Sequence, residues 1–240
     1  MSSNFLLLKL CGVMQSYGSS QKWYYRLTNQ EPTKSAVVGM LCAALGRDRS
    51  EPVSDLSSLP MHVRVDKEGG LMRDLQTAGG GSFLGFGKND KLPYRPITSE
   101  GKSKSGGNAI PYNKDYLCDA KFLVAIKCKN EAQAKELSES LKAPKNQISL
   151  GRKSCVPSEP IFYKIVESES PDEIFEKEPI DNKRRIEISE VRVVMESDGS
   201  SGRLVNDVPV NFKERTFSYR YVNDRFIAIK ADGEPNETNI

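Results

Sequence analysis

Residues Glu31–Gly46, EPTKSAVVGMLCAALG, read as a short apolar helix entered through Pro32, Thr33, Lys34 and Ser35 and stopped at Gly46. Val37, Met40, Leu41, Ala44 and Leu45 recur at the i, i+3, i+4, i+7 and i+8 spacing of one buried face. Ala36, Gly39 and Ala43 leave a flank that a neighbouring strand or chain could approach closely. The first turn leaves four amide donors without intrahelical acceptors, and Lys34 adds positive charge beside them, so the helix start is a candidate anion site. The competing expectation is structural: Thr33 or Ser35 caps the amides and Lys34 is solvated.

Upstream, the apolar run Phe5–Leu10 reads as a buried strand, followed by a glycine-bracketed loop, Gly12–Gly18. Trp23, Tyr24, Tyr25 and Arg26 then offer flat faces and a guanidinium, groups that stack on unpaired bases but that also serve as ordinary packing. Downstream of a polar loop at Ser50–Pro60, Met61–Asp66 alternates as a strand, and Gly69-Gly70 turns the chain into Leu71–Thr77.

Between Ala78 and Lys114 the composition changes. Eight glycines interrupt a stretch holding Lys88, Lys91, Arg95, Lys102 and Lys104, which reads as a projecting basic arm or a plain flexible insertion. Regular structure resumes with the strand Lys121–Lys127 and a helix capped at Asn130, with Gln133 in the capping-box position and Ala134, Leu137 and Leu141 on its apolar stripe. Pro144 ends it. A glycine turn with adjacent cations, Ser149–Cys155, leads to the strand Ile161–Val166. The order strand, helix, strand, arm, strand, helix, strand is the βαββαβ order of an α+β, ferredoxin-like (RRM-like) domain, a scaffold used by many RNA binders and many unrelated proteins.

The domain expectation is therefore a ferredoxin-like RNA-binding domain over 1–166 with an inserted thumb at 78–114, and an acidic linker over 167–182. A small antiparallel β-rich C-terminal subdomain over 183–230 and a frayed tail over 231–240 follow. Charge is unevenly placed: Glu167–Glu178 holds six acidic residues and one lysine, so the remainder carries +8 against +3 for the whole chain. That suits phosphate neutralisation, although one acidic loop on an ordinary protein would look the same. With 240 residues and 38% hydrophobic content the chain can bury a real core. The run FLLLKL is too short for a membrane span and lacks the basic flank of a signal peptide, so a cytoplasmic protein with no membrane association is expected. Five widely spaced cysteines and a single histidine argue for structural thiols and for no metal or cofactor.

Five ordered blocks carry a family resemblance: LLLKLCGVMQSYG, EPTKSAVVGMLCAALGRDR, LMRDLQT, YLCDAKFLVAI and SLGRKSCVPSEPIF, together spanning Leu6–Phe162. They resemble the CasD-type subunits of type I-E Cascade, the CRISPR surveillance complex, within the repeat-associated RNA-binding superfamily. The C-terminal third matches only loosely, through VNDVPVNFKERTFSYR. The resemblance implies a non-catalytic subunit that caps one end of Cascade and grips the 5′ handle of the CRISPR RNA (crRNA). The thumb would pack across the guide and touch the backbone subunit, another surface would meet the large subunit, and target DNA would be engaged only through the complex. The expected RNA-binding residues are Gln15, Ser16, Tyr17, Gly18, Tyr25, Arg26, Thr33, Lys34, Ser35, Arg73, Gln76, Thr77, Arg95, Lys102, Lys104, Gly151, Arg152 and Lys153.

Two alternatives stay open. A metal-independent endoribonuclease processing precursor crRNA needs a base and an acid, usually with histidine in one role, and only His62, in a strand among alternating apolar residues, is available. A protein-only scaffold subunit would retain no RNA.

Overall fold

The computed structural model describes residues 2–18, 25–78, 110–180, 190–197, 199 and 201–228. Its frame is a seven-stranded, wholly antiparallel sheet of, in chain order, β1 (Ser3–Cys11), β4 (Met61–Lys67), β7 (Lys121–Lys127), β8 (Phe162–Ser168), β9 (Glu190–Ser197), β10 (Arg203–Asn211) and β11 (Thr216–Ala228). Across the sheet they lie in the order β10-β11-β9-β4-β7-β1-β8. A second sheet is built on β6 (Ile110–Cys118), with β5 (Gly70–Ala78) along one edge and the two-residue strands β2 (Met14–Gln15) and β3 (Tyr25–Arg26) on the other.

Alternation along the strands divides the core into two layers. Leu6, Leu8 and Leu10 of β1 join Phe122, Val124 and Ile126 of β7 beneath α1 (Lys34–Leu45) and α3 (Glu131–Lys142), whereas Phe5, Leu7, Leu123 and Ala125 face the opposite side. α1 begins at Thr33, whose hydroxyl accepts from the Ala36 amide, and stops at Gly46 in the left-handed region at φ 76°, where glycine carries no Cβ penalty. α3 is capped by Asn130 as its sequence predicts. The polar loop at Ser50–Pro60 contains one short helix, α2 (Ser54–Ser57), which buries Leu56.

Two expectations change. The acidic segment is not a solvated linker: β8 runs to Ser168, and Pro171–Lys177 form the helix α4, capped by Ser170 with proline at its start. Ile174 and Phe175 place that helix on the second core layer beside Val191, Val193, Met195 and Ile227. The Arg64 side chain, wholly buried, holds the helix end by donating to the carbonyls of Phe175 and Glu178 at 2.6 Å each and to that of Pro179 at 3.2 Å, while Asp66 accepts from its Nε at 2.5 Å. One arginine thus satisfies carbonyls that the helix leaves orphaned. Nor do the C-terminal strands stand apart, because β9 pairs with β4 through Val63↔Val194 and Arg64↔Val193, continuing the same sheet.

Candidate nucleic-acid interface

The β5–β6 pair runs in unbroken register from Gly70↔Cys118 to Ala78↔Ile110. Period-two alternation puts Tyr112, Lys114 and Tyr116 on one face of β6, across from Gln76, Asp74 and Met72 of β5. β3 lies parallel to β6 with Arg26 opposite Lys114, and the Ser149–Cys155 turn brings Arg152 to the same place.

The result is a face of Tyr112 and three cations, with Tyr116 buried beneath Arg152. The Arg26 guanidinium lies 5.7 Å and the Lys114 ammonium 5.2 Å from the centre of the Tyr112 ring, and the Arg152 guanidinium lies 4.8 Å from that of Tyr116. Gln76 Oε1 accepts from the Tyr112 hydroxyl at 2.9 Å and from Lys114 Nζ at 2.7 Å, which fixes both side chains. Arg152 donates through Nη2 to the Arg26 carbonyl at 2.7 Å, while its Nη1, shielded from solvent, has no acceptor among the described residues. A guanidinium anchored on one side, in a side chain that keeps part of its surface exposed, can take an oxygen of an anion or the edge of a base.

The expected site residues divide into groups. Arg26, Gln76 and Arg152 lie on this face with the exposed Lys153 next in the turn, Tyr25, opposite Asn113, has the other parity, and Thr77 is exposed at the end of β5. Arg73 has the opposite parity and is already bound: its guanidinium donates twice to Asp115, at 2.8 and 3.0 Å, and that bond holds the Asp115 carboxyl below its usual range. Arg95, Lys102 and Lys104 lie outside the described residues, as does Trp23.

Gln15, Ser16 and Tyr17 are buried and serve the fold. Tyr17 donates its hydroxyl to Gln15 Oε1 at 2.6 Å, Gln15 Nε2 donates to the Ala120 carbonyl at 2.7 Å, and Ser16 Oγ donates to the Asp115 carbonyl at 2.9 Å. Burial pushes the Tyr17 hydroxyl well above its ordinary pKa. Gly18 follows, half-buried. Gly151 makes room for that loop, since a Cβ there would stand 1.8 Å from the Ser16 carbonyl oxygen, and its φ of 89° excludes most other residues.

The helix-start anion site is filled from within the chain. Thr33 is the cap and is buried, Ser35 donates to the Thr33 hydroxyl at 3.2 Å, and the Lys34 amide donates to Asp207 Oδ2 at 2.7 Å. The Lys34 side chain, at 2% residue exposure, donates to Glu196 at 2.7 Å, and burial lowers its pKa. A buried cation and a helix N-terminus need carboxylates, and β9 and β10 supply them.

Lys114, Tyr112 and Tyr116 were missing from the sequence expectation. Their signal is present as Tyr112-x-Lys114-x-Tyr116, a period-two polar face. Among the described residues no cluster of potential metal ligands exists, and no helix is long and apolar enough to cross a membrane.

Fold and site together define an α+β protein dominated by antiparallel sheet, with one tyrosine-lined cationic face. The chain belongs to the family described as CRISPR-associated protein (Cas_Cas5), whose pattern matches residues 5–223. It is 29% identical over 188 residues to the CRISPR system Cascade subunit CasD of Escherichia coli (strain K12), covering 74% of this chain and 78% of that one. Among solved structures it is similar to a chain of a "CRISPR RNA-guided surveillance complex", with a TM-score of 0.77, 28% identity and coverage of 97% and 95%. It also resembles a chain described as "Crystal structure of Cas protein", with a TM-score of 0.68, 34% identity and coverage of 93% and 95%.

Proposed function

We propose that the chain is a non-catalytic CasD-type subunit of a type I-E Cascade complex, and that its tyrosine-lined cationic face holds the 5′ handle of the crRNA. The observation that carries the reading is the half-buried Arg152, laid on Tyr116, anchored by the Arg26 carbonyl and with no acceptor for its Nη1 among the described residues. Tyr112 offers a platform for an unpaired base, and Arg26 and Lys114 supply charge for phosphate. The order β8-β1-β7-β4, with α1 and α3 on one side, supports a ferredoxin-like core, from which the thumb would project at the open end of β5 and β6. Backbone and large subunits are its expected neighbours in the cytoplasm, and target DNA is met only through the complex. His62 supports the non-catalytic reading: it is 7% exposed, and burial depresses its pKa to about 4, so it cannot reach a 2′-hydroxyl as a general base.

The test is co-expression of the tagged chain with a CRISPR array and its genomic neighbours, followed by sequencing of the RNA that copurifies. A guide with one uniform 5′ end, lost when Arg26 and Arg152 are both replaced by alanine, is the expected result. Heterogeneous RNA, or retention unchanged by the double substitution, would overturn the assignment.

A further inference from the structure

The edges of the two sheets are treated unequally. β10 carries register shifts at Asn206/Val208 and Pro209/Asn211, with a proline inside it, and β8 pairs with β1 through a shift at Leu7/Leu8. β2 and β3 are only two residues long. Each is a device that stops a foreign strand from adding.

β5 has none of them. It is nine residues long, pairs with β6 without a shift, contains neither proline nor lysine, and has β6 as its one partner strand among the described residues. Its two charges do not guard the edge, since Arg73 is bound to Asp115 and Asp74 accepts from Gln76 Nε2 at 2.5 Å. Leu71 and Leu75, at 66% and 67% exposure, stand out on one face with Met72 exposed on the other. About 30 Å of strand edge, at ~3.4 Å per residue, has no partner strand among the described residues.

We propose that β5 accepts an extended segment of a neighbouring protein subunit as an added strand. The inference rests on the reading that the chain works within a multisubunit complex. The edge specifies its occupant: alternating amides and carbonyls need an extended backbone, Leu71 and Leu75 need apolar side chains opposite them, and Asp74 on the other face needs a cation or hydrogen-bond donor. A second copy of this chain fits poorly, because the antiparallel register that pairs all nine residues sets Asp74 against Asp74.

The experiment places a benzophenone-bearing residue at position 75 of the full chain and irradiates the assembled complex. One crosslinked peptide from a different subunit is expected. Crosslinking to RNA, to a second copy of the chain or to nothing in a complex that still holds its guide would overturn the strand proposal and leave the handle-binding reading standing. Failure of any complex to form would sink both. In parallel, Leu71→Lys with Leu75→Lys should cut the yield of assembled complex at least tenfold while the isolated chain keeps its unfolding midpoint. Normal assembly of that variant would also overturn the proposal.

Discussion

Lys34 at the start of α1 and Glu196 near the end of β9 meet at 2.7 Å in the interior, although 162 residues separate them in the chain. Glu196 also accepts from the Met61 amide and from Arg220, which in turn holds Asp207 through two hydrogen bonds of 2.7 and 2.9 Å. Removing one member leaves largely buried charges with a partner missing. Lys34→Met should therefore destabilise the chain by about 3 kcal/mol in urea unfolding. It should leave the salt dependence of RNA binding unchanged, and a reduced salt slope would restore Lys34 to the interface.

Arg64 is the fastening of α4. Arg64→Met fills similar volume but leaves three carbonyls and Asp66 unpaired, so a loss of about 3–5 kcal/mol is expected. Hydrogen exchange should quicken first in residues 171–178. Uniform acceleration across the sheet, with α4 no different from its surroundings, would show that the arginine is not a local clasp.

His62 gives a pH dependence of definite sign. Its folded pKa of about 4 lies below the ordinary 6.5, so the unfolded chain binds the extra proton first. Stability is full above pH 6.5 and falls as the pH drops from there towards 4, by as much as ~3 kcal/mol. Denaturation midpoints of the parent and of His62→Leu between pH 7.5 and 5 check this. Parallel curves for the two proteins would rule the histidine out.

At the interface, Arg152→Ala and Lys114→Ala should each weaken handle binding. Where the lost contact is to phosphate, the slope of log affinity against log salt should flatten by about one. Tyr112→Ala should weaken binding by about 1–3 kcal/mol with an unchanged slope, because stacking releases no counterion. A changed slope for Tyr112→Ala would argue against a stacked base.

Elements with a local signature were legible in the sequence. Thr33 and Gly46 bracket α1, Asn130 begins α3, and the apolar runs of β1 and β7 stand where their side-chain patterns put them. Features that depend on distant partners were not. Asp207 fills the α1 terminus from 173 positions away, and no local pattern marks it as the acceptor. α4 was hidden because six acidic residues surround its two buried anchors, Ile174 and Phe175, and composition outweighed period. Tyr112 and Lys114 fall inside the glycine-rich stretch read as an arm and Tyr116 just beyond it, whereas Arg26 and Arg152 stand out because each lies beside aromatic or glycine-turn signals.

The bond between the Lys34 amide and Asp207 also bears on how the chain reaches its fold. A nascent chain that has emerged only through α3 already holds β1, α1, β4 and β7, yet its helix start and its buried ammonium have no counter-charge until β9 and β10 leave the ribosome. Closing contacts of such separation makes for slow folding, so the segment ending with α3 at Lys142 is expected to complete its packing only once the last strands are synthesised.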